Sequence, residues 1–376
     1  MNKRVKKKWI ILITVIVVVA AFDGLSSNIN LLDRAIVVGT GIDIEDGDLV
    51  LSAQVIVPKN SASASAGNDF VVYTARGKTV QQAIENLSYT VGLKASFAHT
   101  NVVILGDKLL KSGRTDVLEF LVKSDIVTDN TLLVASAGEA KEILAVQMPI
   151  NEVASYHLTE ILQSNRKEAG QNTSSLKGYF EDIYKVGETA CIPLVFLRES
   201  EFGLLGEGAD GEKPKLLDVS HVVLTNKEGY LVRLGRRQSA ALSYTTEKLN
   251  AGSIAYDGDD GTEKEAIILR TECAKRAISY EEVAIDLNFS VRPSEKYYVS
   301  KDGSVSGISE KEKLAISAEI ITAIDDCFEV SKYYDADVFH LGEELYRKFG
   351  EEWKMSVGKT YLDDLKLKIS VNVNVK

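Results

Sequence analysis

The segment Leu31-Leu-Asp-Arg-Ala-Ile-Val-Val-Gly-Thr-Gly-Ile-Asp43 decides how the fold begins. Its apolar, β-branched core predicts a strand from Ala35 to Ile42. A second apolar run, Leu49 to Val57, follows after Glu45-Asp-Gly-Asp48, and Asp-Gly between two apolar runs is a hairpin signal. The sequence therefore predicts an antiparallel pair of strands at this point.

A short hydrophobic leader precedes this segment. Fourteen largely apolar residues run from Trp9 to Phe22 and follow a basic cluster, Lys3, Arg4, Lys6, Lys7 and Lys8. This order is typical of an export signal, and as a helix the run would reach about 21 Å, short of the roughly 30 Å hydrocarbon core. Residues 1–22 are therefore predicted to be a signal peptide, with an uncleaved signal anchor as the alternative. Both place the rest of the chain outside the cytoplasm.

The charge of the exported part argues against some classes of binding partner. The whole chain carries 44 basic and 54 acidic residues, a net charge of −10. Without the five leader cations, 39 basic residues remain against 54 acidic ones, a net charge of −15. An acidic body argues against nucleic acid and against a polybasic lipid-binding surface.

The three cysteines do not suggest a disulfide framework or a metal site. Cys191, Cys273 and Cys327 are odd in number and far apart. We expect small buried residues at these positions and predict no cofactor.

Beyond the hairpin, strand and helix patterns alternate. Pro58–Gly67 is small and polar and predicts a loop. The chain then reads as strand, helix, strand, helix, strand, which indicates an α/β unit. The predicted elements are strand 70–75, helix 79–91, strand 100–105, helix 109–123, strand 130–135, helices 140–146 and 150–163, and strands 191–197, 219–224 and 230–234.

The later part of the chain predicts two more strands, two helices and a closing strand. Strands are expected at 266–274 and 282–291, and helices at 309 onward and 338–349. Ser309 and Glu312 form a capping-box pattern. From 365 to 375, apolar and polar residues alternate strictly, as in a half-buried strand. The apolar face expected for the first helix consists of Leu314, Ile320, Ile321, Ile324, Cys327 and Phe328.

These elements predict a multidomain α+β, or mixed α/β, protein with antiparallel and mixed sheets and packed helices. On strand order, residues 30–67 and 186–236 are expected to form one discontinuous sheet domain. Residues 68–185 are expected to form an inserted α/β domain and residues 237–376 a C-terminal α/β domain.

Three segments in order resemble the Ger(x)C family, the C subunits of spore germinant receptors. The first is Asn30–Asp43 after the leader, and the second combines Ala75–Ser88 with Phe97–Gly106. The third is Asp335-Ala-Asp-Val-Phe-His-Leu-Gly-Glu-Glu-Leu-Tyr-Arg-Lys-Phe-Gly-Glu-Glu-Trp353, followed by the valine-rich last strand. Together they cover nearly all of the exported chain.

The chain departs from that family at the end of its leader. Members are typically lipoproteins with a Cys after a small-residue lipobox. Val19-Ala20-Ala21 has lipobox character, but Phe22 stands where the Cys would be. The resemblance therefore implies no lipid attachment site here, and attachment would rest on the leader or on partner subunits.

The resemblance implies a non-enzymatic subunit of a receptor complex that makes spores respond to small germinant molecules. The expected partners are integral membrane A-type and B-type subunits, at the outer face of the spore inner membrane. The expected task is assembly or signal coupling. No catalytic, cofactor-binding or metal-binding residue carries over from the family.

Motifs that would favour an exported hydrolase or a nucleotide-binding enzyme are weak. Gly206–Gly211 satisfies a bare GxGxxG but lies among acidic residues, and Gly39-Thr-Gly41 lacks a third glycine. Ser164–Lys167 and Ser174–Lys177 both match SxxK, yet neither SDN nor KTG accompanies them. The four histidines show no HExxH spacing; they are His99, His157, His221 and His340.

The acidic cluster Asp257, Asp259 and Asp260 raises the question of a calcium site. Gly261 and Ile268 occupy positions where an EF-hand loop needs oxygen ligands, so we expect a solvated acidic turn.

The alternative function is a secreted solute-binding protein, which would hold its ligand in the cleft between two halves.

Overall fold

A computed structural model describes residues 34–57, 70–148, 152–168, 174–199, 215–246, 252–294, 307–357 and 361–376, together with residue 14 alone. The backbone alone is described at 165–168, 246, 273–274 and 356–357. Among these residues, no helix is long and apolar enough to cross a membrane. Apart from residue 14, the leader and the Phe22 position lie outside the described part of the chain.

The N-terminal half is built on a ten-stranded sheet. Its central strands are parallel: β1 pairs with β5, β5 with β6, and β6 with β8. Antiparallel pairs form both edges, and the main order is β10-β9-β8-β6-β5-β1-β2-β3. The strands are β1 (Arg34–Glu45), β2 (Asp48–Ile56), β3 (Phe70–Gly77), β4 (Lys94–Ser96), β5 (Val102–Leu105), β6 (Leu132–Ser136), β7 (Ser174–Ser175), β8 (Ala190–Glu199), β9 (Lys215–Asn226) and β10 (Gly229–Leu234).

The first hairpin has a sequence-encoded turn. Asp46 and Gly47 both have positive φ, 52° and 87°, as a type I′ turn requires. This turn matches the twist of the paired strands, so β1 and β2 stay in register from Glu45↔Asp48 to Gly39↔Gln54. The predicted antiparallel pair is present.

The ten-stranded sheet combines segments that the strand order had assigned to two domains. β3, β5 and β6 come from the 68–185 segment and lie in the same sheet as the early hairpin and the late strands. β5 and β6 even stand between β1 and β8. Residues 68–185 are therefore part of this sheet, because the parallel strands of an α/β unit pair with whatever strand their crossover helices bring alongside.

Helices cover both faces of this sheet. One face packs α4 (Ala140–Ala145) and α5 (Ala154–Glu168) over Val102 and Ile104. The other face, which includes Val103 and Leu105, packs the remaining four helices. They are α1 (Val80–Val91), α2 (Asp107–Lys111), α3 (Asp116–Lys123) and α6 (Leu176–Ile183).

The single helix expected from 109 to 123 is instead two helices, α2 and α3. The chain breaks at Gly113, which has φ +70°. A Cβ on Gly113 would lie 2.8 Å from the Glu228 carbonyl oxygen, and one on Gly229 would lie 2.9 Å from Gly113 Cα. The β9–β10 turn therefore packs directly against Gly113. This tertiary contact interrupts the helix that the sequence pattern predicts.

The C-terminal half is a four-stranded sheet covered by helices. Its order is β11-β12-β13-β14, with β14 parallel to β13. Its core is continuous with Val222, Leu224 and Leu234 of the first sheet. The elements are α7 (Arg236–Thr246), β11 (Ser253–Asp257), β12 (Glu263–Ile278), β13 (Glu282–Pro293), α8 (Glu310–Tyr333), α9 (Leu341–Val357), α10 (Tyr361–Asp364) and β14 (Lys366–Val375).

Helix α8 begins as predicted but buries a slightly different face. Ser309 accepts from the Glu312 amide while the Glu312 side chain accepts from the Ser309 amide, which is the expected capping box. Ile320, Ile324, Cys327 and Phe328 are buried, as is Ile316. Leu314 is 70% exposed, so its assignment to the buried face is wrong. Ile316, and not Leu314, therefore belongs to the buried face of α8.

Candidate functional site

The first family-like segment has a structural role at the centre of the ten-stranded sheet. Gly39 and Gly41 lie on β1 where α4 and α5 cross it. A Cβ at Gly39 would lie 2.9 Å from Leu144 Cδ2, and one at Gly41 would lie 2.9 Å from Ala140 Cβ. The two glycines therefore allow α4 to lie directly on the strand.

Asp43 holds the same helix by its first turn. Its carboxylate is 3% exposed and accepts from the backbone amides of Ala140, at 2.8 Å, and Lys141, at 3.2 Å. These are orphan donors of the α4 N-terminus, which a negative charge stabilises. Burial nevertheless raises the pKa of Asp43 above its ordinary value. Gly39-Thr-Gly41 thus leads into a helix-anchoring site.

The third family-like segment builds a second buried carboxylate, at Asp337. Asp337 is 1% exposed. Its Oδ1 accepts from the Leu341 amide at 2.8 Å, and its Oδ2 accepts from the Gly342 amide at 2.7 Å and from Tyr361 Oη at 2.7 Å. One side chain therefore satisfies the first amides of α9 and ties α10 to them.

Asp337 also contacts the N-terminal half. Its backbone amide donates to Thr189 Oγ1 at 3.0 Å, and Thr189 Oγ1 donates to the Gly187 carbonyl at 2.7 Å. A Cβ on Gly187 would lie 2.4 Å from Asp337 Cβ, and one on Gly342 would lie 2.4 Å from Tyr361 Oη. Both positions require glycine for this close approach. We call Gly187, Thr189, Asp337, Gly342 and Tyr361 the Asp337 junction.

His340 extends the contact to α6. Its Nε2 lies 3.6 Å from Asp182 Oδ1, and Lys185 Nζ donates to the same oxygen at 2.6 Å. Burial lowers the pKa of His340, although Asp182 opposes this effect. The partly buried imidazole therefore lies at an interface between the halves that favours its neutral form.

A polar cleft opens beside the Asp337 junction. It encloses about 310 Å³ and brings together charged groups of both signs, Glu188, Asp335 and Lys354. Lys227 Nζ lies 2.5 Å from Glu188 Oε1 at its side. Its other lining residues are Val186, Gly187, Asn226 and Tyr361. The cleft has the size and the polarity to hold a small polar molecule.

The C-terminal half has a more apolar cavity between α7, β11 and α8. It encloses about 380 Å³, with Tyr244 and Ile320 among its walls. At its rim, Arg237 lies 2.8 Å from Glu319 and 3.2 Å from Asp326, so its guanidinium is already paired.

The acidic turn at 257–265 is engaged and not simply solvated. Asp259 Oδ2 accepts from Ser309 Oγ at 2.6 Å, and Lys264 Nζ lies 2.8 Å from Glu312 Oε1. The turn therefore fastens β11 and β12 to the first turn of α8. In the part of the chain described here, no group of three or more His, Cys, Asp or Glu side chains could hold a metal ion.

The remaining enzyme-like motifs occupy separate places. Ser174 lies in β7, and Lys177, whose Nζ is 3.7 Å from Glu181, lies in the first turn of α6. Ser164 lies in α5, whereas Gly206–Gly211 and the Lys167 side chain lie outside what is described. The histidines lie on different elements: His99 before β5, His157 in α5, His221 in β9 and His340 before α9.

Of the two cysteines whose side chains are described, Cys327 is buried as expected, whereas Cys191 is half-buried. Burial raises the pKa of the Cys327 thiol to about 12 and that of Cys191 still further. Both are free, and both are neutral at pH 7, which is unsuitable for a nucleophile or metal ligand. The Cys273 side chain lies outside the described residues.

Asp43 and Asp337 do not stand out among the residues of the two family-like segments that contain them. The signal that singles them out is local. Each is an acidic residue surrounded by apolar neighbours, in Gly-Ile-Asp-Ile and in Ala-Asp-Val-Phe. An acidic residue in an apolar run is buried only when donors meet it, as helix amides do here.

Comparisons with known proteins match both halves of the chain. Residues 27–197 match the family described as spore germination protein N-terminal domain, and residues 221–376 match spore germination B3/GerAC like, C-terminal.

Relatives and a solved structure agree with these matches. Spore germination protein KC of Bacillus subtilis (strain 168) is 23% identical, over 98% of this chain and 96% of its own. Spore germination protein B3 of the same strain is 29% identical over 30% of each chain. The crystal structure of the GerBC protein has a TM-score of 0.51 at 14% identity, covering 90% of this chain and 96% of that one, and shows a shared fold.

Proposed function

Because the chain belongs to the GerAC-like Ger(x)C family of spore germination proteins, we propose that it is the C subunit of a spore germinant receptor. The observation that carries this proposal is the match of both family domains, in order, over 27–197 and 221–376. A relative that is similar over 98% of the chain supports it. Its role is non-enzymatic and lies in receptor assembly or signal coupling.

The Asp337 junction supports the coupling role. A subunit that transmits a conformational change needs an element that both parts of the molecule contact. Asp337 holds the start of α9 and Tyr361 through its carboxylate and Thr189 of the other half through its amide. A displacement of one half is therefore communicated to the other through a few hydrogen bonds.

The proposed partners are the integral membrane A-type and B-type subunits. The subunit would act at the outer face of the spore inner membrane, held there by its uncleaved leader, by those partners, or by both. Phe22 in place of a lipobox Cys supports attachment without a lipid. The acidic exported part, at −15, would meet its partners by charge complementarity.

The experiment that tests this function is deletion and complementation in the native host. Spores without this chain should lose optical density more slowly in response to the small molecules served by its receptor. Their response to a germinant served by another receptor should be unchanged. A role specific to one receptor would be contradicted if both responses slowed equally, or if neither response changed.

The polar cleft carries a second candidate function, binding of a small polar solute between the halves. Lys354 would face a negatively charged group of such a solute. Under this reading, Lys354→Ala abolishes a ligand-induced rise in melting temperature while the exposed Lys311→Ala keeps it. The absence of any solute-dependent shift in the unsubstituted chain would remove this candidate.

A further inference from the structure

One end of the ten-stranded sheet carries an exposed apolar surface. β1 and β4 begin at this end, whereas β2 and α1 finish there, since β2 runs antiparallel to β1. Tyr89 is 85% exposed near the end of α1, and Leu93 is 40% exposed just beyond it. Val57 and Val71, at the ends of β2 and β3, are 42% and 40% exposed.

Basic side chains accompany these apolar ones. Lys94 is exposed, and Arg34, its register partner across β1 and β4, is half-buried. No described residue forms an ion pair with either of them. Two basic residues therefore lie side by side at this end of an exported part that has a net charge of −15. We call Arg34, Val57, Val71, Tyr89, Leu93 and Lys94 the leader-side surface.

The leader joins the described structure at this surface. The apolar run ends at residue 22, and β1 begins at Arg34. The eleven residues between them span at most about 40 Å even when fully extended. A leader retained in a bilayer therefore keeps the start of β1, and the end of the sheet around it, near that bilayer.

We propose that the leader-side surface rests on the outer surface of the membrane in which the leader is held. A tyrosine beside leucine and valine suits the headgroup region of a bilayer. There the apolar ring can contact lipid chains while the hydroxyl contacts water. Lys94 and Arg34 then face lipid phosphates, which attract basic residues that lie near an anionic surface. This inference rests on the proposed membrane receptor function with the leader retained as an anchor, and it adds the face that the subunit turns toward lipid.

Site-directed fluorescence in vesicles tests the contact. The full chain with Tyr89→Cys carries an environment-sensitive thiol dye and is reconstituted into phosphatidylglycerol-containing vesicles. The matched control is Lys78→Cys, an exposed position at the opposite end of β3, about 23 Å from Val71 along the strand. The unsubstituted chain gives the background from Cys191, Cys273 and Cys327.

We expect a blue shift at position 89 on reconstitution, and loss of most of its emission with nitroxide-labelled lipids. Emission at 78 should show neither change. Equal, weak quenching at both positions would overturn the proposal. Photo-crosslinking from position 89 in spores separates the occupants: adducts with lipid support it, whereas adducts mainly with another receptor subunit overturn it.

The two proposals fail separately. If the chain is recovered with polytopic subunits but position 89 stays unquenched, the receptor function stands and the membrane-facing surface is wrong. If the chain is found free of the membrane in its native host, both fall.

Discussion

At the scale of single residues, two buried carboxylates organise the molecule. Asp43 fixes α4 on β1, and Asp337 fixes α9 and Tyr361 while its backbone contacts Thr189. Burying a carboxylate is unfavourable unless donors replace water, and helix N-termini supply both the donors and a favourable dipole. The resemblance pointed to the segments that hold these residues, but only the folded chain shows which donors meet them.

Replacing Asp337 tests the Asp337 junction. Asp337→Asn places an amide donor against the backbone donors of α9, so we expect the free energy of unfolding to fall by about 3 kcal/mol. Tyr361→Phe removes one hydrogen bond and should cost about 1.5 kcal/mol. Urea denaturation measures both, with the exposed Asp364→Asn as control. Equal stability of the Asp337 and Asp364 variants would refute the role of the junction.

Adding one methyl group tests the close packing at β1. In Gly39→Ala the new Cβ would lie 2.7 Å from Ser155 Cβ, so α5 or the strand must shift. The expected loss of stability is about 1–3 kcal/mol. Gly235→Ala, where nothing lies within 4 Å, is the matched control and should change little. Thermal unfolding of the two variants measures this difference. Equal melting temperatures would contradict the close packing proposed at Gly39.

His340 predicts a pH dependence of stability. Burial lowers its pKa in the folded chain, against the opposing effect of Asp182 and with Lys185, Asp337 and Arg276 also nearby. The unfolded chain therefore binds the proton more readily, and stability falls as the pH drops below about 6.5.

The matched variant is His340→Asn, because asparagine tolerates the positive φ of 54° at this position. Urea midpoints measured between about pH 7.5 and 5.5 should fall less for this variant than for the unsubstituted chain. An identical slope in the two proteins would contradict the effect assigned to the partly buried His340 imidazole.

At the scale of elements, the sequence predicted those whose signals are local. The Asp46-Gly47 turn, the Ser309 capping box and the alternating last strand are all present. Tertiary contacts produced the differences: the β9–β10 turn divides the expected 109–123 helix at Gly113. Helices α6 and α7 and strand β11 were not predicted, since their segments are polar or short.

Two alanine substitutions on α8 test which of its residues form the buried face. Ile316 is fully buried, whereas Leu314, two residues earlier, is 70% exposed. Ile316→Ala should lower the free energy of unfolding by about 2–5 kcal/mol through lost contacts and a cavity. Leu314→Ala should change it by less than about 0.5 kcal/mol. Chemical denaturation of both variants checks the assignment, and a larger effect at Leu314 would reverse it.

At the scale of the whole molecule, the predicted class is confirmed, since mixed sheets and packed helices build both halves. The arrangement of the first sheet was not predictable from strand order, because β5 and β6, which were assigned to a separate domain, lie between β1 and β8. The Asp337 junction joins residues 148 positions apart, Thr189 and Asp337, and no local pattern encodes such a contact.

The central claim is that the chain works as one subunit of a membrane receptor complex. Its most direct test is a tagged pull-down from detergent-solubilised spore inner membrane of the native host, with the partners and the chain's own N-terminus identified by mass spectrometry. We predict recovery with two polytopic subunits, and the N-terminal peptide will show whether the leader is retained. A mature protein that starts near Phe22 and lies in the soluble fraction without those subunits would contradict the claim.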